Sequence, residues 1–253
     1  MNIESIPFGG LRVAACTPVE LAAFIGERLR DPQRPATTVN FVNAHVSNLA
    51  ARDPQLTADL AASSLICADG QSIVWAARIF GARLPGRCNM TDAFRRFLAD
   101  PEIPVCQAVL IGGPRNLTDL AAGRINARTR RLRVTHSLSG YESPAHQEAF
   151  LRDHATTDLV LIGMGSPQSE RLAVTAAALC PHALIWHIGG GTVMFLAGAQ
   201  REAPAWMKRL GIQWLHRLLR EPRRMGRRYL LGNPVFVARM LAARLAQFWS
   251  AAA

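Results

Sequence analysis

The sequence predicts an α/β fold: a mainly parallel sheet flanked by helices, followed by a C-terminal helical appendage. Three observations predict it. Six short apolar segments alternate with helix-like segments, most of the apolar segments end in Gly or Asp, and the pattern turns basic and amphipathic from about residue 200. Reading in order, Thr17 is an N-cap for a helix from Pro18 to Arg30. TTVNFVNA (37–44) is a strand entering a polar turn, and His45 to Ala51 resumes as helix. SSLICADG (63–70) is a strand ending in Asp-Gly, with a helix from Gln71 to Phe80 and another over 92–99. QAVLIGG (107–113) is a buried strand, and Leu117 to Thr129 a helix. RLRVTHSLSGY (131–141) is a strand and turn, and 144–154 a helix. DLVLIGMG (158–165), a helix from Glu170 to Leu179 and ALIWHIGGG (183–191) complete the alternation before a glycine turn and a new helix.

Ligands of such sheets sit outside the carboxyl ends of the strands. Here those ends supply Asn43, Asp69, Gly112, Gly113, Gly140, Tyr141, Gly163 to Ser166 and Gly189 to Gly191. Residues 1–199 form the expected α/β core and 200–253 the appendage. Charge divides the same way: residues 201–253 carry eleven basic and two acidic side chains, whereas the first 200 carry 18 and 16. Lys208 is the only lysine. A set of arginines favours planar recognition of phosphate or carboxylate, and the asymmetry points to a polyanionic partner. Trp206, Leu210, Trp214, Leu218 and Leu219 recur near helical spacing opposite Lys208, Arg209, Arg217 and Arg220. That stripe suits an anionic membrane surface, or a helix packed on the core with a solvated basic face. Gly211, Pro222 and Pro234 divide the appendage into two or three helices.

Composition excludes collagen, low complexity and global disorder. Five cysteines at wide spacings read as buried free thiols. The histidines lack HExxH or comparable spacing, so no metal site is expected. GMGSP lacks a hydrolase elbow, and no GxGxxG supports a dinucleotide. The start MNIESIPFGG has neither a basic n-region nor an apolar h-region, so no secretory signal is expected. The uncharged stretch Leu172 to Gln200 contains Pro181, two histidines and three consecutive glycines, and reads as helix, strand and turn instead of a membrane span. A nucleic-acid-binding protein with a basic tail is the rival class. The neutral body with glycine-ended strands fits a small-ligand pocket better, so no nucleic-acid partner is expected. A non-catalytic membrane-recruited scaffold is a third class.

ADGQSIVWAARIFG at 68–81, GMGSPQSE at 163–170 and WLHRLLREPRRMGRRYLLGNPVF at 214–236 together resemble the WecG/TagA/CpsF family of bacterial glycosyltransferases. The resemblance covers roughly residues 38–240. It implies a Rossmann-like core whose helical appendage touches the membrane and completes the active site. It further implies an inverting, metal-independent hexosyltransferase needing no cofactor, peripheral on the cytoplasmic face of the inner membrane. Such an enzyme moves a sugar from a UDP-sugar to a lipid-diphosphate-linked sugar in surface polysaccharide, exopolysaccharide or teichoic acid-type synthesis. The apolar side of the appendage also allows a homo-oligomer.

By this resemblance Asp69 is the general base that takes the acceptor proton, although an Asp before Gly is also ordinary turn chemistry. Arg217, Arg224 and Arg227 match positions that reach back to the departing diphosphate, while Arg223 and Arg228 are expected to face lipid. Asn43 matches a donor-pocket asparagine. Asn89, Thr91 and Asp92, in CNMTD, match a segment near the donor, and Asp92 reads equally as a helix cap. Gly112-Gly113, Gly163, Gly165 and Gly190 would let backbone approach the nucleotide. Tyr141 lies by the uracil or packs. The family's P-K-Q-E is Pro167-Gln168-Ser169-Glu170 here, with Gln168 standing in for the usual glutamine. Phe41 replaces a common threonine, and Val193-Met194 replace Phe-Asp. These departures imply an altered donor pocket, with UDP-N-acetylmannosamine and UDP-glucose as the two expected donors.

Overall fold

The computed structural model describes residues 3–252 apart from 9, 202, 205, 208, 209 and 211, with backbone alone at 224, 227 and 247–252. Eight strands form one sheet in the order β1-β2-β4-β3-β8-β7-β5-β6. They are β1 (Ser5–Phe8), β2 (Leu11–Ala14), β3 (Thr37–Val42), β4 (Leu65–Ala68), β5 (Cys106–Gly112), β6 (Leu132–Leu138), β7 (Leu159–Gly163) and β8 (Leu184–His187). Only β1 and β2 pair antiparallel. That hairpin is absent from the sequence reading, although the alternation of IPF and LRV around a glycine pair carried a signal for it; Gly10 makes the turn at φ +83°.

The central strands are buried on both faces, which is why they read as continuous apolar runs. Their side chains alternate between two cores. Leu159, Leu161, Leu184 and Trp186 enter one, and Val160, Ile162 and Ile185 the other. On the first face lie α1 (Pro18–Leu29), α5 (Met90–Ala99), α6 (Arg115–Arg128) and α9 (Gly190–Leu196); on the second lie α7 (Pro144–Asp153) and α8 (Gln168–Leu179). Thr17 caps α1 with a full capping box to Glu20, as its position predicts. The remaining body helices are α2 (Ala44–Ala50), α3 (Pro54–Ala61) and α4 (Gln71–Ile79). The sequence reading left out α3, which Asp53 as N-cap and Pro54 at the first position begin.

After β5 the chain turns outward to β6, and after β7 it turns back to β8, so the switch point of the sheet lies between β5 and β7. There Gly112 pairs with Gly163. A Cβ on Gly112 would lie 2.4 Å from the Gly163 carbonyl oxygen, and one on Gly163 would lie 2.1 Å from Val193 Cγ2. These glycines let strand and helix close up beneath the crevice, a packing role that the expected nucleotide role omitted.

The appendage comprises α10 (Gln213–Arg220), α11 (Pro222–Gly226), a π-helical turn (Arg227–Leu231) and α12 (Gly232–Ala252). Pro222 divides helices as expected. Pro234 does not: it falls in the first turn of α12, where an amide hydrogen has no helical partner to lose, and the widened turn precedes it. The expected division at Gly211 lies outside the described residues. α12 packs on α2 and α4 and buries Phe236 and Met240 in the first core, worth about 1.5–3 kcal/mol each. Asn48 donates to the Gly232 carbonyl at 2.7 Å, and Arg239 donates to Ser47 O and Asn48 Oδ1 at 3.0 and 2.9 Å. Among the described residues no helix is long and apolar enough to cross a membrane.

Gly163→Ala is expected to lose about 1–3 kcal/mol by overpacking, and Val193→Ala in the same chain should restore part of it. Gly112→Ala should not be restored by Val193→Ala, because its clash is with backbone. Urea denaturation of the four variants checks this.

Candidate active site

The carboxyl ends of β3, β4, β5, β7 and β8 open into a cleft of about 1250 Å³, roofed by the appendage. Asp69 lies in it, just past the end of β4, with its amide donating to Val42 O at 2.9 Å. Asn89, the N-cap of α5, accepts from the Asp92 amide through Oδ1 and donates through Nδ2 to Asp69 Oδ1 at 3.0 Å. One asparagine therefore starts a helix and orients the carboxylate. Burial raises the Asp69 carboxyl above its ordinary value; the charges of Arg217 and Arg87, the Asn89 hydrogen bond and the charge of Arg228 offset part of that rise.

Arg217 comes from α10, on the far side of the cleft in sequence. A Cβ on Gly191 would lie 3.4 Å from its Nη2, so the guanidinium packs at the start of α9. Arg87 hydrogen-bonds Gln213 of α10 and lies 4.0 Å from Asp92. The body thus clasps the appendage through the same arginine that faces Asp69.

Of the sequence-derived site residues, Asn43, Asp69, Asn89, Thr91, Gly113, Tyr141, Gly163, Gly165, Gln168, Gly190 and Arg217 line the cleft. Asn43 also caps α2, accepting from the Val46 amide at 3.1 Å. Thr91 is buried against Thr192, with hydroxyls 2.8 Å apart. Tyr141 is 81% exposed at the rim, so it does not pack in the core.

Three residues stand behind the lining. Asp92 is tied to the cleft through Arg87 and Asn89. Gly112 lies beneath, against Gly163. Glu170 is fully buried, accepts from Ser166 Oγ at 2.6 Å and lies 3.8 Å from His187 Nδ1. Burial raises its carboxyl and pushes His187 down to about 3, disfavouring the charged form of each. They act as floor structure, with His187 also against Asn40 at 3.2 Å and its ring tilted against Phe41 at 4.4 Å between centroids. The side chains of Arg224 and Arg227 lie outside the described residues.

Arg228 corrects an expectation. It lines the cleft and its charge acts on Asp69, instead of facing lipid; Arg223 is exposed. Sequence reasoning also missed Arg87, an isolated arginine in GRCN with no motif to mark it. Trp75, Trp214 and Tyr229 add aromatic surface to the cleft, the last two packed edge to face at 6.0 Å.

A carboxylate of raised basicity with the charges of Arg217, Arg87 and Arg228 acting on it, in a cleft at strand ends, is an arrangement able to accept a proton beside a bound anion. The Glycosyl transferase WecG/TagA/CpsF family matches residues 6–249. The chain belongs to this family. It is therefore a glycosyltransferase, and membership implies work in cell-envelope polysaccharide synthesis. The match covers nearly the whole chain, including the β1–β2 hairpin and the appendage, beyond the 38–240 span on which the resemblance rests.

Arg217→Gln removes the largest charge holding the Asp69 carboxyl down. Its protonation should then move to higher pH, as read by infrared or carbon-13 titration of that carboxyl; a lower or unchanged midpoint would contradict the charge assignment.

Proposed function

We propose that the chain transfers a hexose, with inversion, from a UDP-sugar to a polyprenyl-diphosphate-linked sugar. Asp69 is the base, and the observation that carries this is its position: raised in basicity, oriented by Asn89 and opposed by Arg217, Arg87 and Arg228. The acceptor hydroxyl gives its proton to Asp69 as its oxygen attacks the anomeric carbon, and the bond to UDP breaks on the opposite face. The departing diphosphate gains charge, which Arg217 and Arg228 meet with fixed guanidinium groups. Arginine supplies this stabilisation without a metal ion. Arg224 and Arg227 contribute from the same segment. A cleft of about 1250 Å³ exceeds the usual range for one small ligand, roughly 300–1,000 Å³, which favours two substrates held together.

Asn43, Thr91 and Gln168 hold the donor, and Phe41 beneath Gly189 narrows the pocket where a threonine is usual. UDP-N-acetylmannosamine and UDP-glucose are the donors to compare. The appendage rests on an anionic membrane at the cytoplasmic face. Leu210, Leu219, Leu230 and Leu231 are each more than 60% exposed beside a strongly basic segment, an arrangement suited to an interface. Lipid-linked acceptor would reach the cleft from that side.

Asp69→Asn should retain UDP binding and lose about 10²–10⁴ in turnover, the usual worth of general-base help. A UDP-release assay with a lipid-diphosphate-sugar acceptor reads it. The base must be deprotonated to act, so wild-type kcat/KM should fall as pH drops, with the acid limb above the ordinary carboxylate range. Undiminished turnover in Asp69→Asn would remove the base from this scheme.

Membrane attachment needs point variants, because deletion from residue 200 strips Phe236 and Met240 from the core. Joint replacement of Leu219, Leu230 and Leu231 by Ser should weaken binding to anionic vesicles at least about tenfold, equivalent to 1.4 kcal/mol. Co-sedimentation measures this, and unchanged binding would move the interface elsewhere.

A further inference from the structure

Three cysteines that the sequence scatters meet behind the active site. Cys16 follows β2, Cys67 lies in β4 and Cys88 precedes α5. All three are 1% exposed or less, and their sulfur atoms all lie within 4.8 Å of one another, with Cys16 and Cys88 at 3.8 Å. Neighbouring strands create the meeting: β2 pairs with β4 at Ala14 and Cys67, and the Cys88 amide donates to Ala68 O at 2.8 Å. Spacings of 51 and 21 residues hid it from any motif search.

We propose that Cys16, Cys67 and Cys88 form a three-sulfur binding site for a soft, thiophilic d¹⁰ metal ion, with monovalent copper as its physiological member. The geometry suits one ion. Three sulfurs held at about 2.3 Å in a plane around a metal stand about 4 Å apart, close to the observed spacing. Thiolate-only ligation selects soft ions over magnesium, calcium or manganese. Among the described residues the cluster holds no fourth ligand, which favours three-coordinate Cu(I) over tetrahedral zinc. Cys16 and Cys88 each stand one residue before the N-cap of a helix, where the backbone dipole favours a thiolate. Binding forms three sulfur–metal bonds and releases the thiol protons to solvent, with no change of oxidation state.

The cluster sits directly behind Asp69. Cys67 is two residues before it, and Cys88 immediately precedes its partner Asn89. The site is separate from the sugar-transfer chemistry and is tested without it. Reduced full-length protein is equilibrated anaerobically with Cu(I) held by bicinchoninate. Wild type, Cys106→Ala and Cys180→Ala should each withdraw one equivalent. Cys88→Ala should bind about 100-fold more weakly or worse, since even an outer-shell partner is worth 10–100-fold. X-ray absorption on the loaded wild type, which does not depend on a core variant folding, should show three sulfur neighbours. No withdrawal of copper, fewer than three sulfurs, or equal binding by Cys88→Ala would each overturn the site.

Discussion

Phe236 and Met240 enter the same apolar core as Val39, Trp186 and the other first-face residues, and this burial determines where the basic segment before them must lie. The hydrophobic effect has no direction of its own, but here it is aimed by polar pins. Asn48 holds the Gly232 carbonyl at the start of α12, and Arg239 holds the end of α2. With α12 so placed, α10 crosses the strand ends and lines the cleft. Arg217 thereby comes to face Asp69, 148 residues earlier in the chain. The clasp between Arg87 and Gln213 closes the same arrangement from the body.

At Asp69 two opposed effects set the chemistry. Removal from water favours the neutral acid, whereas Arg217, Arg87, Arg228 and the Asn89 amide favour the carboxylate. Burial prevails, and the result is a carboxylate more basic than an exposed one yet still surrounded by positive charge. In the proposed transfer, basicity serves proton abstraction and the surrounding charge serves an anionic leaving group. Neither function would follow from a surface aspartate beside a flexible arginine tail, where water screens the pair.

The floor of the cleft illustrates how motif residues divide their labour. In GMGSPQSE, Gly163 permits the approach of Val193, and Glu170 is buried with Ser166 and His187. Gly165 and Gln168 face the cleft. A short signature thus mixes residues that shape the floor with residues that face the cleft, and their alternation follows the turn from β7 into α8.

Strand-end composition was enough to locate the cleft: Asn43, Asp69, Gly113 and Gly190 stand at apolar-run termini and line it, and in a parallel sheet those termini converge. The period-2 burial of the strands and the amphipathic Arg-rich tail are likewise local properties, written in neighbouring residues. Arg87, Arg228, the Asn89–Asp69 bond and the meeting of Cys16, Cys67 and Cys88 were beyond sequence reading. Each joins residues from separate elements, and their proximity comes from strand order and from the docking of α12. The sequence by itself determined the parallel α/β class, the charge division and the family. Only the tertiary structure decided which arginines face Asp69, because side-chain direction in the appendage depends on burial of Phe236 and Met240 some twenty residues downstream of Arg217.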